Sequence, residues 1–193
     1  MRRDQLEHVI RAVGAILGET RLVILGSQSI LGKYPTGLPP EATFSVEVDV
    51  LPFDDLEGRK ADLIDGTIGE GSLFHETFGI YAQGVGEKTA RLPDGWRERL
   101  IPVQNANTMG VTGYCLEPHD LLISKYLAGR PKDLAFCEAV VRAGLVREDV
   151  LVDRLRHTSC TPEEARRVLA AIRRHFRDRG ERQDREADPG RDR

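Results

Sequence analysis

Residues 21–27 read Arg-Leu-Val-Ile-Leu-Gly-Ser, an apolar run that ends in two small residues. A short run rich in branched side chains is typical of a buried β-strand, and the small residues favour a tight turn after it. Helical spacing from Gln28 to Leu31 then indicates a helical turn, so the stretch predicts a strand, a turn and a helix in succession. Backbone N–H groups at such a turn, together with the Ser27 hydroxyl, offer a docking place for phosphate oxygens. A plain strand-to-helix connection would have the same pattern.

The second informative stretch, residues 44–51, alternates from one residue to the next. Alternation over this length predicts a β-strand with two distinct faces. One face carries Phe44, Val46, Val48 and Val50, and the other carries Ser45, Glu47, Asp49 and Leu51. The two carboxylates therefore leave the same face and repel each other unless a cation joins them, and Mg²⁺ prefers such oxygen ligands together with water and phosphates. The alternative interpretation is that both acids lie on the solvent side of an edge strand.

The rest of the chain shows helical and extended patterns around these two stretches. Apolar residues at helical spacing predict an opening helix over residues 6–17 that stops at Gly18. Further helices are predicted over residues 54–69, 117–127, 132–143, 148–155 and 162–176, and further strands over residues 78–82 and 99–103. Residues 105–113 are rich in turn-forming residues, and Asp120 is expected to cap its helix. This order predicts an α/β (α+β) fold, a small mixed sheet flanked by helices.

Composition divides the chain into three parts. Strands and helices alternate up to residue 116, which predicts a core over residues 1–116, and helices alone follow over residues 117–177 as a C-terminal helical lobe. Residues 178–193 are almost wholly charged or small, and without an apolar anchor they cannot offset the entropy lost on ordering. A disordered charged tail is therefore expected there.

The bulk composition excludes several classes of protein. A chain of 193 residues with 40% hydrophobic and 31% charged residues suits a globular protein. Its formal net charge of -3 provides no overall basic field for non-specific nucleic-acid binding. Three widely spaced cysteines without a CxxC pair argue against disulfide frameworks and structural zinc, and they fit a reducing cytoplasm. No apolar stretch suits a signal peptide or a membrane span, so a cytoplasmic protein without a membrane partner is expected.

Together, the strand-Gly-Ser-helix unit and the Glu47-Val48-Asp49 strand resemble the nucleotidyltransferase superfamily of the DNA polymerase β type, in particular its AbiEii-like toxin and minimal nucleotidyltransferase branch. The resemblance implies that Gly26 and Ser27 hold a nucleoside triphosphate. It also implies that Glu47 and Asp49 are catalytic and bind Mg²⁺. The family usually has Asp at the position of Glu47, and because Glu is one methylene longer, Mg²⁺ at about 2.1 Å is reached only if the strand or the ion shifts.

Residues 118–133, Pro-His-Asp-Leu-Leu-Ile-Ser-Lys-Tyr-Leu-Ala-Gly-Arg-Pro-Lys-Asp, are similar to the helical segment that follows the catalytic core of AbiEii-like proteins. The match implies that Lys125 is catalytic and reaches the nucleotide phosphates as a point charge. It also implies that Arg130, Lys132 and Asp133 orient the nucleotide or the acceptor. The alternative for Arg130 and Lys132 is a solvated helix face with an i, i+3 ion pair.

The resemblance implies a Mg²⁺-dependent transfer of a nucleoside monophosphate from a nucleoside triphosphate to an RNA, protein or small-molecule acceptor. It further implies a toxin of a toxin-antitoxin or phage-defence system, with tRNA or a protein as acceptor and a neutralising antitoxin protein as partner. A third carboxylate often serves as general base in such enzymes, and by residue type alone the candidates are Asp62, Asp65, Glu76 and Glu98. Two alternatives stay open, a non-catalytic relative that binds nucleotide or a protein partner, and an α/β scaffold with neither activity.

Overall fold

A five-stranded mixed sheet flanked by helices confirms the fold class predicted from the sequence. The computed structural model describes residues 1–187. The strands are β1 (Arg21–Ile24), β2 (Glu47–Pro52), β3 (Tyr81–Gly84), β4 (Ile101–Val103) and β5 (Thr112–Cys115). The helices are α1 (Arg3–Leu17), α2 (Pro40–Thr43), α3 (Arg59–Ile68), α4 (Leu73–Phe78), α5 (Pro118–Ala128), α6 (Pro131–Arg142), α7 (Glu148–Arg156) and α8 (Pro162–Ala187). A short 3₁₀ helix, Ser27–Gly32, follows β1 directly.

The strand order is β3-β2-β1-β5-β4, which places β1 at the centre of the sheet. β1 pairs antiparallel with β2 and parallel with β5. β2 also pairs parallel with β3, and β4 pairs antiparallel with β5. β2 thus has a neighbour on each side, so the interpretation of its acids as the solvent side of an edge strand is wrong.

Alternation along β2 sends its side chains to two different apolar clusters. Val48 and Val50 are buried in one cluster, together with residues of α1 and α3. Leu51 belongs to the other cluster, which combines residues of β1 with residues of α5 to α8. Because side chains alternate along a strand, Glu47 and Asp49 share the face of Leu51 and point toward the C-terminal helices. This second cluster crosses the division at residues 116 and 117, and the separation of a core from a helical lobe stays a prediction.

The strand predicted over residues 44–51 begins only at Glu47. Phe44 ends the short helix α2, with φ of -65° and ψ of -32°. β3 first pairs with β2 at Glu47, opposite Tyr81, so no neighbouring strand extends over residues 44 and 45. Phe44 and Val46 are consequently 74% and 41% exposed, whereas the alternation predicted that they would lie in the core.

Two further segments differ from their predicted structure. Residues 73–78 form a helix that the Ser72 side chain caps, and the strand expected over residues 78–82 begins at Tyr81. The turn-rich residues 105–113 lead into β5, which the sequence did not indicate. β5 is fixed by its pairing with β1 and by Gly113, where an added Cβ would lie 2.4 Å from Ile10 Cδ1 of α1. A strand that depends on remote partners in this way leaves a weak local pattern.

Helices α5, α6 and α7 follow their predicted ranges, and α8 begins at its predicted first residue. α5, α6 and α7 lie within one residue of the expected bounds, whereas α3 starts at Arg59 instead of residue 54. A capping box opens α8: Glu164 N donates to Thr161 Oγ1 at 3.2 Å, and Thr161 N donates to Glu164 Oε2 at 2.9 Å. Across residues 1–187, no helix combines the length and the apolar character that crossing a membrane requires.

The tail that was expected to be disordered from Asp178 is instead helical as far as Ala187, as part of α8. Arg, Glu, Gln and Ala are strong helix formers, and they make up most of this stretch. Arg177 Nε also lies 3.9 Å from a carboxylate oxygen of Glu181 at i, i+4 spacing. Local propensity therefore extends the helix without an apolar anchor. Residues 188–193 of the expected tail lie outside the described part of the chain.

Asp120 does not cap its helix, because Glu117 is the N-cap of α5. Asp120 is instead fully buried, with Oδ2 2.8 Å from Arg99 Nε and Oδ1 3.2 Å from Arg154 Nε. A buried carboxylate needs such compensation. The cluster ties α5 to α7 and to the segment before β4, which is a structural role.

Candidate functional site

A cavity of about 640 Å³ is lined by the turn after β1, by β2 and by helices α5 and α6. Its walls include Gly26, Ser27, Glu47, Asp49, Lys125, Arg130, Lys132 and Asp133. These are all of the residues that the resemblance assigned to nucleotide or metal binding. They come from elements far apart along the chain, and apolar packing gives no reason for so many polar groups to meet in one place.

Gly26 lies so close to Asp49 that only a residue without a side chain fits. Its backbone has φ of 60° and ψ of -168°, a region that is essentially restricted to glycine. An added Cβ would lie 1.7 Å from Asp49 Oδ2. Two hydrogen bonds fix the turn on either side: Leu25 N donates to Asp49 O at 2.9 Å, and Ser29 Oγ donates to Gly26 O at 2.8 Å. The small residue lets the turn after β1 approach the acidic strand closely.

Glu47 and Asp49 form a pair of carboxylates that repel each other inside the cavity. Burial raises the pKa of Asp49 to about 6, with a further contribution from the charge of Glu47, against the opposing effect of Lys125 and Arg130. Tyr81 Oη donates to Glu47 Oε2 at 3.3 Å. Among residues 1–187, no group of three or more His, Cys, Asp or Glu side chains is placed to hold a metal ion. Two carboxylates with room for phosphate and water oxygens are the donor set that suits Mg²⁺.

Lys125 faces this pair from α5 and is itself held by an ion-pair network. Its side chain is mostly buried, and Nζ lies 3.0 Å from Asp133 Oδ1 and 4.6 Å from the centre of the Phe136 ring. Arg130 Nε lies 2.5 Å from Asp133 Oδ2. Burial would raise the pKa of Asp133, but Arg130 and Lys125 together hold it below its usual value. Asp133 thereby fixes the position of the Lys125 ammonium group in the cavity wall.

Arg130 and Lys132 have features of both interpretations made from the sequence. The Arg130 side chain is 62% exposed and forms the i, i+3 pair with Asp133 that a solvated helix face would show. Lys132 is exposed as well. Both residues nevertheless line the cavity, at the side where α6 begins.

The candidates for a third carboxylate lie elsewhere. Neither Asp62, Asp65, Glu76 nor Glu98 lines the cavity. Asp65, for example, accepts a hydrogen bond from Gly84 N at 2.6 Å. The position on β3 opposite Asp49 is taken by Gln83, which does line the cavity.

Among the cavity residues that were not predicted from the sequence are Glu41, Phe44, Gln83 and Ser124. Glu41 lies on α2 and is 2.9 Å from Arg142 of α6, which joins the two helices across the cavity wall. The segment of α2 has Pro39 and Pro40 at its start, which is a usable helix signal. Ser124 is the neighbour of Lys125 and carries no signal of its own.

A comparison with protein-family models matches residues 4–182 to a family described as "Nucleotidyltransferase of unknown function (DUF6036)". The matched range contains every candidate residue of the cavity. No curated protein and no solved structure matches the chain. The family description agrees with the superfamily that the Gly-Ser turn and the acidic strand resemble, and it does not name the AbiEii-like branch.

Proposed function

Because the chain belongs to a family of nucleotidyltransferases, we propose that it transfers a nucleoside monophosphate from a Mg²⁺-bound nucleoside triphosphate to an acceptor hydroxyl group. The observation that carries the proposal is that Gly26, Ser27, Glu47, Asp49 and Lys125 line one cavity. A backbone turn, two carboxylates and an ammonium group supply the contacts that a metal-bound triphosphate requires. The volume of about 640 Å³ lies in the usual range of small-molecule sites.

Each of these residues has a distinct role in the proposed reaction. Glu47 and Asp49 would hold Mg²⁺, which would supply positive charge for the oxygens of an in-line displacement. Gly26 lets phosphate approach the backbone, and the Ser27 hydroxyl offers a hydrogen bond to it. Lys125, fixed by Asp133, places a positive charge beside the phosphates.

The transfer itself exchanges one bond to phosphorus for another. The acceptor oxygen bonds to the α-phosphorus, and the bond from that phosphorus to the oxygen bridging the α- and β-phosphates breaks. Pyrophosphate leaves, and the proton of the acceptor hydroxyl passes to solvent water. The positive charge of Lys125 stabilises the negative charge that develops on the transferred phosphoryl group in the transition state.

A specific observation favours a second candidate function, a relative that binds nucleotide without turnover. Of the four carboxylates in the cavity wall, Glu41 and Asp133 are engaged with arginine or lysine side chains. Only Glu47 and Asp49 are left for metal and proton transfer, and the neighbouring strand contributes Gln83. A binding protein needs no third carboxylate.

The segment of residues 118–133 supports a finer proposal. Its likeness to AbiEii-like proteins suggests a toxin that modifies tRNA or a protein, together with an antitoxin that neutralises it. Lys125 and Asp133 of this segment form the buried ion pair at the cavity wall. Arg130 and Lys132, both exposed at the rim, are placed to contact an acceptor.

The proposal is tested by incubating the purified chain with Mg²⁺, each α-labelled nucleoside triphosphate, and tRNA or protein from a cell extract. We expect a labelled acceptor and released pyrophosphate, both lost when a chelator removes Mg²⁺. Calorimetry with the same nucleotides measures binding separately. Tight Mg²⁺-dependent binding without transfer selects the second candidate function, and the absence of Mg²⁺-dependent binding contradicts both.

Lys125→Met tests the role of the ammonium group, with Lys33→Met, which lies outside the cavity lining, as the matched control. The substitution leaves Asp133 buried with Arg130 alone, so we expect the free energy of unfolding to fall by about 2–3 kcal/mol. Transfer should fall roughly 100-fold in the folded protein, because a charge at the phosphates is lost. Lys33 is exposed and outside the cavity, so its substitution should leave transfer unchanged and alter stability by less than about 0.5 kcal/mol. A folded Lys125→Met protein with wild-type transfer rates would show that Lys125 is structural only.

A further inference from the structure

The ring of Phe44 is a large apolar surface that the fold leaves open at the cavity. Phe44 lines the cavity with the candidate phosphate and metal residues, and it is 74% exposed. Phe78 and Leu73 are also exposed apolar residues, but they lie away from the cavity. An exposed aromatic ring inside a ligand cavity differs from one scattered on the surface, because a ligand can cover it.

The backbone that carries Phe44 is tied down on both sides. Before it, Thr43 Oγ1 donates to Pro40 O at 3.0 Å, and Glu41 of the same helix is paired with Arg142 of α6 at 2.9 Å. After it, Glu47 N donates to Ser45 Oγ at 3.2 Å. These contacts hold the backbone on both sides of Phe44, so a ligand would find the ring carried by a fixed segment of the wall.

Phe44 also lies within reach of a nucleotide whose phosphates are bound at the acidic strand. Phe44 lies three positions before Glu47, and a step of three positions along an extended chain spans at most about 11 Å. The charged groups, Glu47, Asp49 and Lys125, account for the triphosphate end of the ligand. Among the described residues, Phe44 and Phe136 are the aromatic residues that line the cavity. Phe136 is 3% exposed and lies against the Lys125 ammonium group, so Phe44 is the ring that is open to a ligand.

We propose that Phe44 is the stacking surface for the base of the bound nucleoside triphosphate. The inference rests on the proposed function, since it requires a nucleotide in the cavity. Every nucleobase has a π-face, and stacking on an aromatic side chain contributes about 1–3 kcal/mol per base. A phenyl ring has no hydrogen-bonding group, so Phe44 adds affinity for all four bases and leaves base selection to polar groups of the wall, such as Gln83.

The test compares binding of nucleoside triphosphates with binding of inorganic triphosphate, both with Mg²⁺ and by calorimetry. We expect Phe44→Ala to weaken nucleotide binding roughly 5- to 150-fold, the equivalent of one lost stack. Binding of inorganic triphosphate should be unchanged, because it has no base. Phe44→Tyr should restore nucleotide affinity. Phe78→Ala removes an exposed ring outside the cavity, 47% exposed, and should leave both affinities unchanged.

A second measurement uses Phe44→Trp as a fluorescent reporter. Trp96, the natural tryptophan, does not line the cavity, so wild-type fluorescence supplies the background. Nucleoside triphosphates should quench the added tryptophan, and inorganic triphosphate should not. Circular dichroism confirms that each variant is folded, which the exposure of Phe44 leads us to expect.

The outcomes separate this inference from the proposed function. If the wild-type chain binds neither inorganic triphosphate nor nucleotide, the proposed function fails and the stacking role fails with it. If both bind and Phe44→Ala binds nucleotide like the wild type, the stacking role alone is overturned. A variant with unchanged nucleotide affinity and a raised KM for the acceptor overturns it as well, because the ring would then contact the acceptor.

Discussion

Asp49→Asn is expected to abolish nucleotide transfer while making the metal-free protein more stable than the wild type. The substitution keeps the shape of the side chain and removes one of two charges that face each other in the cavity. Transfer should fall at least on the order of 10²–10³-fold, because one of the two proposed Mg²⁺ ligands is lost. Mg²⁺-dependent nucleotide binding should fall with it.

The expected gain in stability follows from the direction of the Asp49 pKa. In the folded chain the pKa is raised to about 6, so ionisation of Asp49 opposes folding. The penalty is absent at a pH below the unfolded value of about 4, develops as the pH rises, and is complete above about pH 6. Above that pH the variant should gain about 1–3 kcal/mol in the free energy of unfolding.

Denaturant unfolding in the presence of a chelator, at pH 4 and at pH 7.5, measures this difference. Asp62→Asn is the control, since Asp62 lies on α3 outside the cavity. We expect little change in activity or stability from the control. An Asp49→Asn protein that transfers nucleotide at the wild-type rate would remove Asp49 from the catalytic site.

Gly26→Ala is expected to disable the site through geometry alone. The added Cβ would lie 1.7 Å from Asp49 Oδ2, so either the turn or the carboxylate must move. The backbone of Gly26 also has a φ of 60°, which an alanine adopts with strain. We expect the free energy of unfolding to fall by about 1–3 kcal/mol, and transfer to fall as far as in Asp49→Asn.

Gly37→Ala separates the two effects of the methyl group. Gly37 has a φ of 75°, and no atom lies within 4 Å of its added Cβ, so this control carries backbone strain without a collision. It should lower stability by about 1 kcal/mol and leave transfer intact. Equal transfer by the Gly26→Ala and wild-type proteins would show that the turn and Asp49 need not touch for the reaction.

Much of the fold was available from local patterns in the sequence. β1 and the helices α5 to α8 start where apolar spacing and caps predict, because helix periodicity and capping depend on residues a few positions apart. The segments that were not predicted correctly owe their structure to contacts with residues that are distant in the sequence. β5 exists because β1 pairs with it, and Phe44 leaves the sheet because β3 begins only opposite Glu47. Asp120 forms ion pairs with Arg99 and Arg154, and no local sequence pattern predicts these pairs.

For the candidate site, the sequence by itself determined which groups share a face and which residue types are present. Glu47 and Asp49 point the same way because strand side chains repeat every two residues. Only the tertiary structure decided that Gly26, Lys125 and Phe44 meet these acids in one cavity. The physical reason is that convergence depends on how the sheet and the C-terminal helices pack. Packing places Gly26 against Asp49, 23 positions later, and brings Lys125 to the same cavity from 76 positions beyond Asp49, and local sequence patterns contain no information about such contacts.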